Sequence, residues 1–161
     1  MLTIFVITVT KADSSCDSDG WVKHGRGNSC YKFVISPSTW SQANGLCLDM
    51  GGSLATLNDD DEIYWMRGYR SYHRSLRKDF FWIGGYKKND QWLWKGRIAD
   101  TLITHSDWSV NMPGKTGDCM VMFGDGSSGW LKDPVTMWFK WATGDCSAKF
   151  NFICEKSIDY K

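Results

Sequence analysis

The stretch Thr39-Trp40-Ser41-Gln42-Ala43-Asn44-Gly45-Leu46-Cys47-Leu48-Asp49-Met50-Gly51-Gly52 decides how the rest of the chain is read. Trp40, Ala43, Cys47 and Met50 recur at helical spacing, Thr39 is a residue that caps helix starts, and Gly51-Gly52 ends the run. Ser36-Pro37-Ser38 supplies a turn before it, and Ser53 to Leu57 forms a short apolar connector after it. A second helix begins at Asn58, whose side chain can cap it. Asp59, Asp60, Asp61 and Glu62 occupy its first turn, where the helix dipole favours negative charge. That acidic cluster has the composition of a metal site, but helix-start chemistry accounts for it. Trp65, Tyr69, Tyr72 and Leu76 then define a buried face. Arg67, Arg70, Arg74 and Arg77 fall opposite as a basic stripe, read as a solvated polar face rather than an anion-binding one.

On either side of the helices the rhythm is that of strands. Cys30-Tyr31-Lys32-Phe33-Val34-Ile35, Phe80-Phe81-Trp82-Ile83, Gln91-Trp92-Leu93-Trp94 and Cys119-Met120-Val121-Met122-Phe123 are aromatic or β-branched runs. Lys88-Asn89-Asp90 is a turn, and Gly84-Gly85 permits close backbone approach. Phe150-Asn151-Phe152-Ile153-Cys154-Glu155 is a closing strand. Ile98 to Asp118 has little apolar rhythm, and irregular segments of that length are commonly functional. Met137-Trp138-Phe139-Lys140-Trp141 reads as a core strand. The whole predicts an α+β domain.

The chain has 161 residues, 19 Lys+Arg against 18 Asp+Glu, 42% hydrophobic and 15% aromatic residues. That length suits one domain with a single core. The near-neutral charge argues against disorder and against nucleic-acid binding by bulk basicity. Ten tryptophans with 16 glycines suggest flat side chains packed among tight turns. Leu2 to Val9 is an apolar run too short to span a bilayer; it reads as the core of a secretory signal over residues 1–12, with no basic residue before it. Cys16, Cys30, Cys47, Cys119, Cys146 and Cys154 are even in number, without a Cys-x-x-Cys pair or a His at ligand spacing. They point to disulfides, hence to a secreted, extracellular protein. Spacing alone does not choose among the 15 connectivities. His24, His73 and His105 lack a nucleophile or paired carboxylate at motif spacing, so no enzyme is expected.

Taken together, Thr39-Trp40 with Ala43 and Cys47, Gly51-Gly52-Ser53-Leu54-Ala55, Glu62, Trp82-Ile83-Gly84, Trp92-x-Trp94-Lys95-Gly96, Trp108, Pro113, Cys119, Cys146 and Phe152-Ile153-Cys154-Glu155 resemble the C-type lectin-like domain. Met66-Arg67-Gly68-Tyr69 and the Trp92 to Gly96 stretch are most similar to secreted single-domain lectins of the perlucin-like kind. The resemblance covers residues 16–156 and leaves 157–161 as a tail. It implies two helices with antiparallel sheets and a long loop region that presents the ligand. It also implies bridges Cys47–Cys154 and Cys119–Cys146, with Cys16–Cys30 marking the longer form of the domain.

Relatives that bind sugar through calcium carry a Glu-Pro-Asn or Gln-Pro-Asp triplet and a Trp-Asn-Asp triplet, because calcium takes six to eight hard oxygen ligands. Here Met112 and Gly114 flank Pro113, and Val121 stands where an acidic residue is expected. The second triplet falls on Trp141-Ala142-Thr143 by its spacing to Cys146, or on Trp130-Leu131-Lys132 with Asp133 one place late. Neither offers paired oxygens, so no calcium cofactor is expected at the principal sugar site. A second, structural calcium position matches Thr56, Asn58, Glu62 and Glu155. The plainer reading is that Glu62 caps a helix and Glu155 pairs with a surface lysine. The ligand-binding candidates are Trp108, Asn111, Met112, Pro113, Gly114, Asp118, Trp130, Asp133 and Trp141. The resemblance implies a non-catalytic module that binds a glycan or extracellular protein through residues 96–146. The alternatives are a calcium-dependent lectin rebuilt on Asn111, Asp118 and Asp133, and a matrix or biomineral protein.

Overall fold

The computed structural model describes residues 16, 18–125 and 138–158. The expected leader Leu2–Val9, Trp130-Leu131-Lys132-Asp133 and Met137 lie outside the described residues. Short β1 (Val22–Lys23) pairs with β2 (Ser29–Ser38), which leads into α1 (Trp40–Asp49). β3 (Ser53–Leu54), α2 (Asp60–Tyr72) and one 3-10 turn (Arg74–Leu76) follow. Then come β4 (Phe81–Lys88), β5 (Gln91–Trp94), β6 (Thr101–Leu102), β7 (Cys119–Met122), β8 (Trp141–Gly144) and β9 (Phe150–Ser157).

The strands follow the order β1-β2-β9-β4-β5-β6, with β3 on β9 and β7 bridging β4 to β8. The expected antiparallel pairing holds for every described strand pair but one: β4 and β9 are parallel, with Phe81 beside Asn151 and Trp82 beside Phe152. A parallel neighbour requires a long connection rather than a hairpin. Here that connection is everything from β5 to β8. The Met137–Trp141 tract is likewise rearranged. Trp138 and Phe139 form a turn, with Phe139 at φ 57°, and the strand begins only at Trp141. Phe139 and Trp141 are nonetheless buried, so the tract does feed the core.

α1 follows its sequence closely. Thr39 accepts the Gln42 N–H while the Gln42 side chain accepts the Thr39 N–H, a reciprocal cap. Ala43 and Cys47 face inward, and Gly51 ends the helix at φ 84°. Gly52 must lack a side chain, because a Cβ there would stand 2.2 Å from the Glu155 carbonyl oxygen. The three bridges are Cys16–Cys30, Cys47–Cys154 and Cys119–Cys146, the pairing the resemblance implies.

α2 departs from its sequence reading at both ends and on its buried face. Its cap is Asp59, whose carboxylate accepts the Glu62 N–H at 2.8 Å; Asn58 lies one residue outside. The inward side chains are Ile63, Met66 and Arg70, while Tyr72 is 86% exposed. The helix stops at Tyr72, so Leu76 is buried from the following turn and cannot fix the helical phase. The expected basic stripe is therefore broken at its centre. Arg70 is fully buried between the rings of Phe81 and Phe139, with its guanidinium carbon 4.7 and 4.9 Å from their centroids. Nε and Nη2 donate to the Leu76 carbonyl, Nη1 to that of Phe123, and Nη2 also to that of Asp79. Burial pulls this group down to about 9, against the opposing pull of Asp79 and Asp125, so it stays charged at neutral pH. Arg67 pairs with Asp107 and Arg77 with Asp125, leaving Arg74 as the exposed member.

Replacing Arg70 strands the carbonyls of Leu76, Asp79 and Phe123 away from water. Arg70→Ala is expected to cost about 3–5 kcal/mol in urea unfolding. Arg70→Lys should recover little of it, because an ammonium cannot reach three carbonyls on separate segments while stacking between two rings.

Candidate functional site

The irregular region after β6 is held from both sides. Asp107, itself buried, accepts from Arg67 of α2 and from Lys140, while its carbonyl receives the Trp141 N–H. Ser109 N–H returns a bond to the Trp141 carbonyl, and Trp108 bridges Trp141 as a parallel pair. Trp108 is half-buried, edge-on to Trp92 at 4.9 Å and to Trp141 at 5.9 Å. Trp141 is fully buried against Trp94 as well, which places it in the core rather than on a ligand-accessible surface. Its position in the expected ligand set is corrected accordingly: β8 turns its ring inward beneath Trp108.

Three of the remaining described candidates share one cleft. Asn111 and Pro113 are exposed, and Met112, Gly114 and Asp118 line a cleft of about 640 Å³ with Thr143, Asp145 and Cys146. Thr143 hydroxyl donates to the Met112 sulfur at 3.7 Å. The Gly114 loop reaches β8 so closely that a Cβ would stand 2.9 Å from the Thr143 hydroxyl. Asp118 forms an exposed ion pair with Lys87 at 3.2 Å. Asp145 Oδ1 accepts both the N–H and the O–H of Ser147, which holds its carboxyl below the usual range. Asp145 was not among the expected site residues. A signal for it exists, because Asp118 and Asp145 each precede one cysteine of the Cys119–Cys146 bridge and are brought to the same opening by it.

These residues do not fit the calcium the resemblance brings to mind. Met112 offers a thioether, Gly114 nothing, and Val121 and Ala142 are buried hydrocarbons paired across β7 and β8. Thr143 adds one hydroxyl. Calcium takes six to eight oxygens, and beside the Thr143 hydroxyl the only carboxylates lining this cleft are those of Asp118 and Asp145. Among the described residues no group of three or more His, Cys, Asp or Glu could hold a metal ion. His24 lies edge-on to Trp65 and His73 stacks on Tyr69, the two ends of one aromatic row joined by the Trp65–Tyr69 stack, while His105 lies beside Thr104.

Thr56, Asn58, Glu62 and Glu155 do come together. Glu155 accepts from Ser29 on one oxygen, and from the Thr56 N–H and O–H on the other. Glu62 accepts from the Tyr31 hydroxyl and the Asn58 N–H, and Asn58 donates to Thr56. Glu155 therefore does not pair with a surface lysine as expected. The four residues have the oxygens for a structural cation, but as they stand all four carboxylate oxygens already accept bonds from the protein. Burial holds the Tyr31 hydroxyl far above its ordinary range, keeping it a donor. Burial also lifts Glu155 from 4.5 to about 7, chiefly by desolvation.

The sign of the consequence follows from that rise. Below about pH 4.5 both folded and unfolded chains carry a protonated Glu155. Between there and pH 7 only the unfolded chain gives up the proton, so the contribution to stability falls as pH rises. The stability of wild type relative to Glu155→Gln should decline by about 3 kcal/mol from pH 4 to pH 8 in urea titrations.

Residues 36–156 match the family model described as the lectin C-type domain. Perlucin of Haliotis laevigata is 27% identical over 83% of this chain and 79% of its own length. The mouse (Mus musculus) secretory phospholipase A2 receptor is 27% identical over 90% of this chain, which spans only 9% of that receptor. The solved SPL-1–GlcNAc complex superposes with a TM-score of 0.71 at 25% identity, over 88% of this chain and 96% of that one. No helix among the described residues is long and apolar enough to cross a membrane. With the matched span, the bridges, the two helices and the long loop region all in place, the chain belongs to the C-type lectin domain family, whose members are known as non-catalytic recognition modules.

Proposed function

We propose that the protein is a secreted recognition module that binds an extracellular glycan or protein at the cleft between the Met112–Asp118 loop and the end of β8, without a calcium bridge. The observation that carries this reading is the contact between Thr143 and Met112 at the cleft wall. A hydroxyl that donates to a thioether makes a weak bond, and a ligand oxygen is the better acceptor. Asp118 and Asp145 add carboxylate acceptors for ligand hydroxyls. Three disulfides fit an oxidising compartment. The similar SPL-1 was solved with GlcNAc, which makes neutral sugars the first class to try.

The test is a glycan-array and pull-down panel run with calcium and with a chelator. Binding that persists in chelator and drops at least about tenfold in Thr143→Val and Asp145→Ala supports the proposal. Binding that vanishes with chelator and returns with calcium overturns it, in favour of a site rebuilt on Asn111, Asp118 and Asp133.

A further inference from the structure

Because α2 stops at Tyr72, the last two arginines of the basic stripe leave the helical period. Arg74 opens the 3-10 turn and Arg77 stands just past its end, and both reach one cleft with Lys78. Ser75, Asp79 and Asp125 complete its walls, and its volume of about 740 Å³ is that of a small-ligand pocket. One cation beyond a helix C-terminus is ordinary, since the dipole favours it. Three around a single cleft, on a backbone held this firmly, are not. The Asp125 N–H donates to the Arg77 carbonyl at 2.7 Å, and buried Arg70 donates to those of Leu76 and Asp79. Gly124 packs so closely that a Cβ there would stand 2.4 Å from the Lys78 carbonyl oxygen.

The charges of this cleft select its occupant. Arg77 holds buried Asp125 through Nε at 3.3 Å, and Asp79 accepts from Asn151 on one oxygen at 3.1 Å. Arg74 and Lys78 are exposed and make no ion pair among the described residues, whereas Arg67, Arg77, Lys87, Lys95 and Lys140 all do. Three cations against two carboxylates leave one net positive charge, which suits a monoanion better than a phosphate dianion. The second oxygen of Asp79 keeps acceptor capacity for a hydroxyl on the same ligand. We propose that this cleft is a binding site for a sugar bearing a single sulfate or carboxylate group. The anion lies between Arg74, whose planar guanidinium can donate to two of its oxygens, and Lys78; a neighbouring sugar hydroxyl donates to Asp79. The site shares no residue with the Met112–Asp145 cleft, so the two can be filled independently.

Titration of isotope-labelled protein at low salt with galactose sulfate, glucuronate, unmodified galactose and inorganic sulfate, read from amide chemical shifts, tests this. The expected result is shifts over residues 74–79 and a dissociation constant of about millimolar order for a charged sugar, with galactose and inorganic sulfate at least about tenfold weaker. Comparing galactose sulfate with glucuronate identifies which anion the site takes. Binding should weaken as salt rises. Arg74→Gln/Lys78→Gln, at exposed positions where the urea midpoint should not move, is expected to lower the affinity at least about tenfold. Asp79→Asn should raise the affinity for inorganic sulfate while narrowing the preference for the charged sugar over it. No shifts over residues 74–79 with either charged sugar overturns the proposal. So does galactose or inorganic sulfate binding there as tightly as the charged sugars, and so does binding that the Arg74 and Lys78 substitutions leave unchanged.

Discussion

The bond between Cys47 and Cys154 closes a loop of 107 residues between α1 and β9. In the chain-entropy picture such a closure limits the unfolded chain by about 4–5 kcal/mol. More consequential for the fold is where it leaves β9. Fastened to α1, the last strand lies between β2 and β4, antiparallel to one and parallel to the other. Every element from β5 to β8 must then depart from and return to that seam. The long irregular region is a direct product of this geometry, because its ends are fixed and its middle pairs only briefly, at β6 and at Trp108.

The polar interior obeys the same logic on a smaller scale. Arg70 collects three carbonyls from chain turns that no helix or strand satisfies, and Glu155 and Glu62 collect five donors from β2, the Thr56–Asn58 segment and Tyr31. Neither charge is neutralised by a direct ionic partner. Each makes several hydrogen bonds to neutral groups instead, the condition under which buried charge is tolerated. Both groups sit where segments of irregular backbone meet, so they act as joints as well as core.

Sequence carried the order of elements, both helix starts to within one residue, and most strands, because caps, glycine stops and β-branched runs are local signals. It failed where the deciding contact is distant. Arg67, Arg70, Arg74 and Arg77 share one period, and nothing local distinguishes the one that enters the core. Ile63 and Met66 hold the true phase, but the aromatic Trp65 and Tyr69 at the margin of that face drew the reading toward themselves. Met112, Gly114 and Asp118 were legible because Pro113 marks the loop. Asp145 was missed although it directly precedes Cys146, because its closeness to Asp118 comes from the β7–β8 pairing and the Cys119–Cys146 bridge rather than from any local signal. Trp141 stood out by its spacing to Cys146 and proved to be core, as spacing along a strand does not say which face a ring takes.

The character of the cleft bears on how such a module could work. A calcium ion grips sugar hydroxyls with concentrated charge; a bond donated by Thr143 contributes only about 0.5–1.5 kcal/mol, and one accepted by the Asp118 or Asp145 carboxylate about 1.5–3 kcal/mol. Three or four of them give a monovalent affinity of roughly millimolar order. One feature of the molecule offsets that weakness. Asp107, held by Arg67 and Lys140, ties the long region to α2 and β8, so little ordering is left to be lost on binding. A recognition surface built on hydrogen bonds is thus physically coherent when rigidity limits the ordering lost on binding.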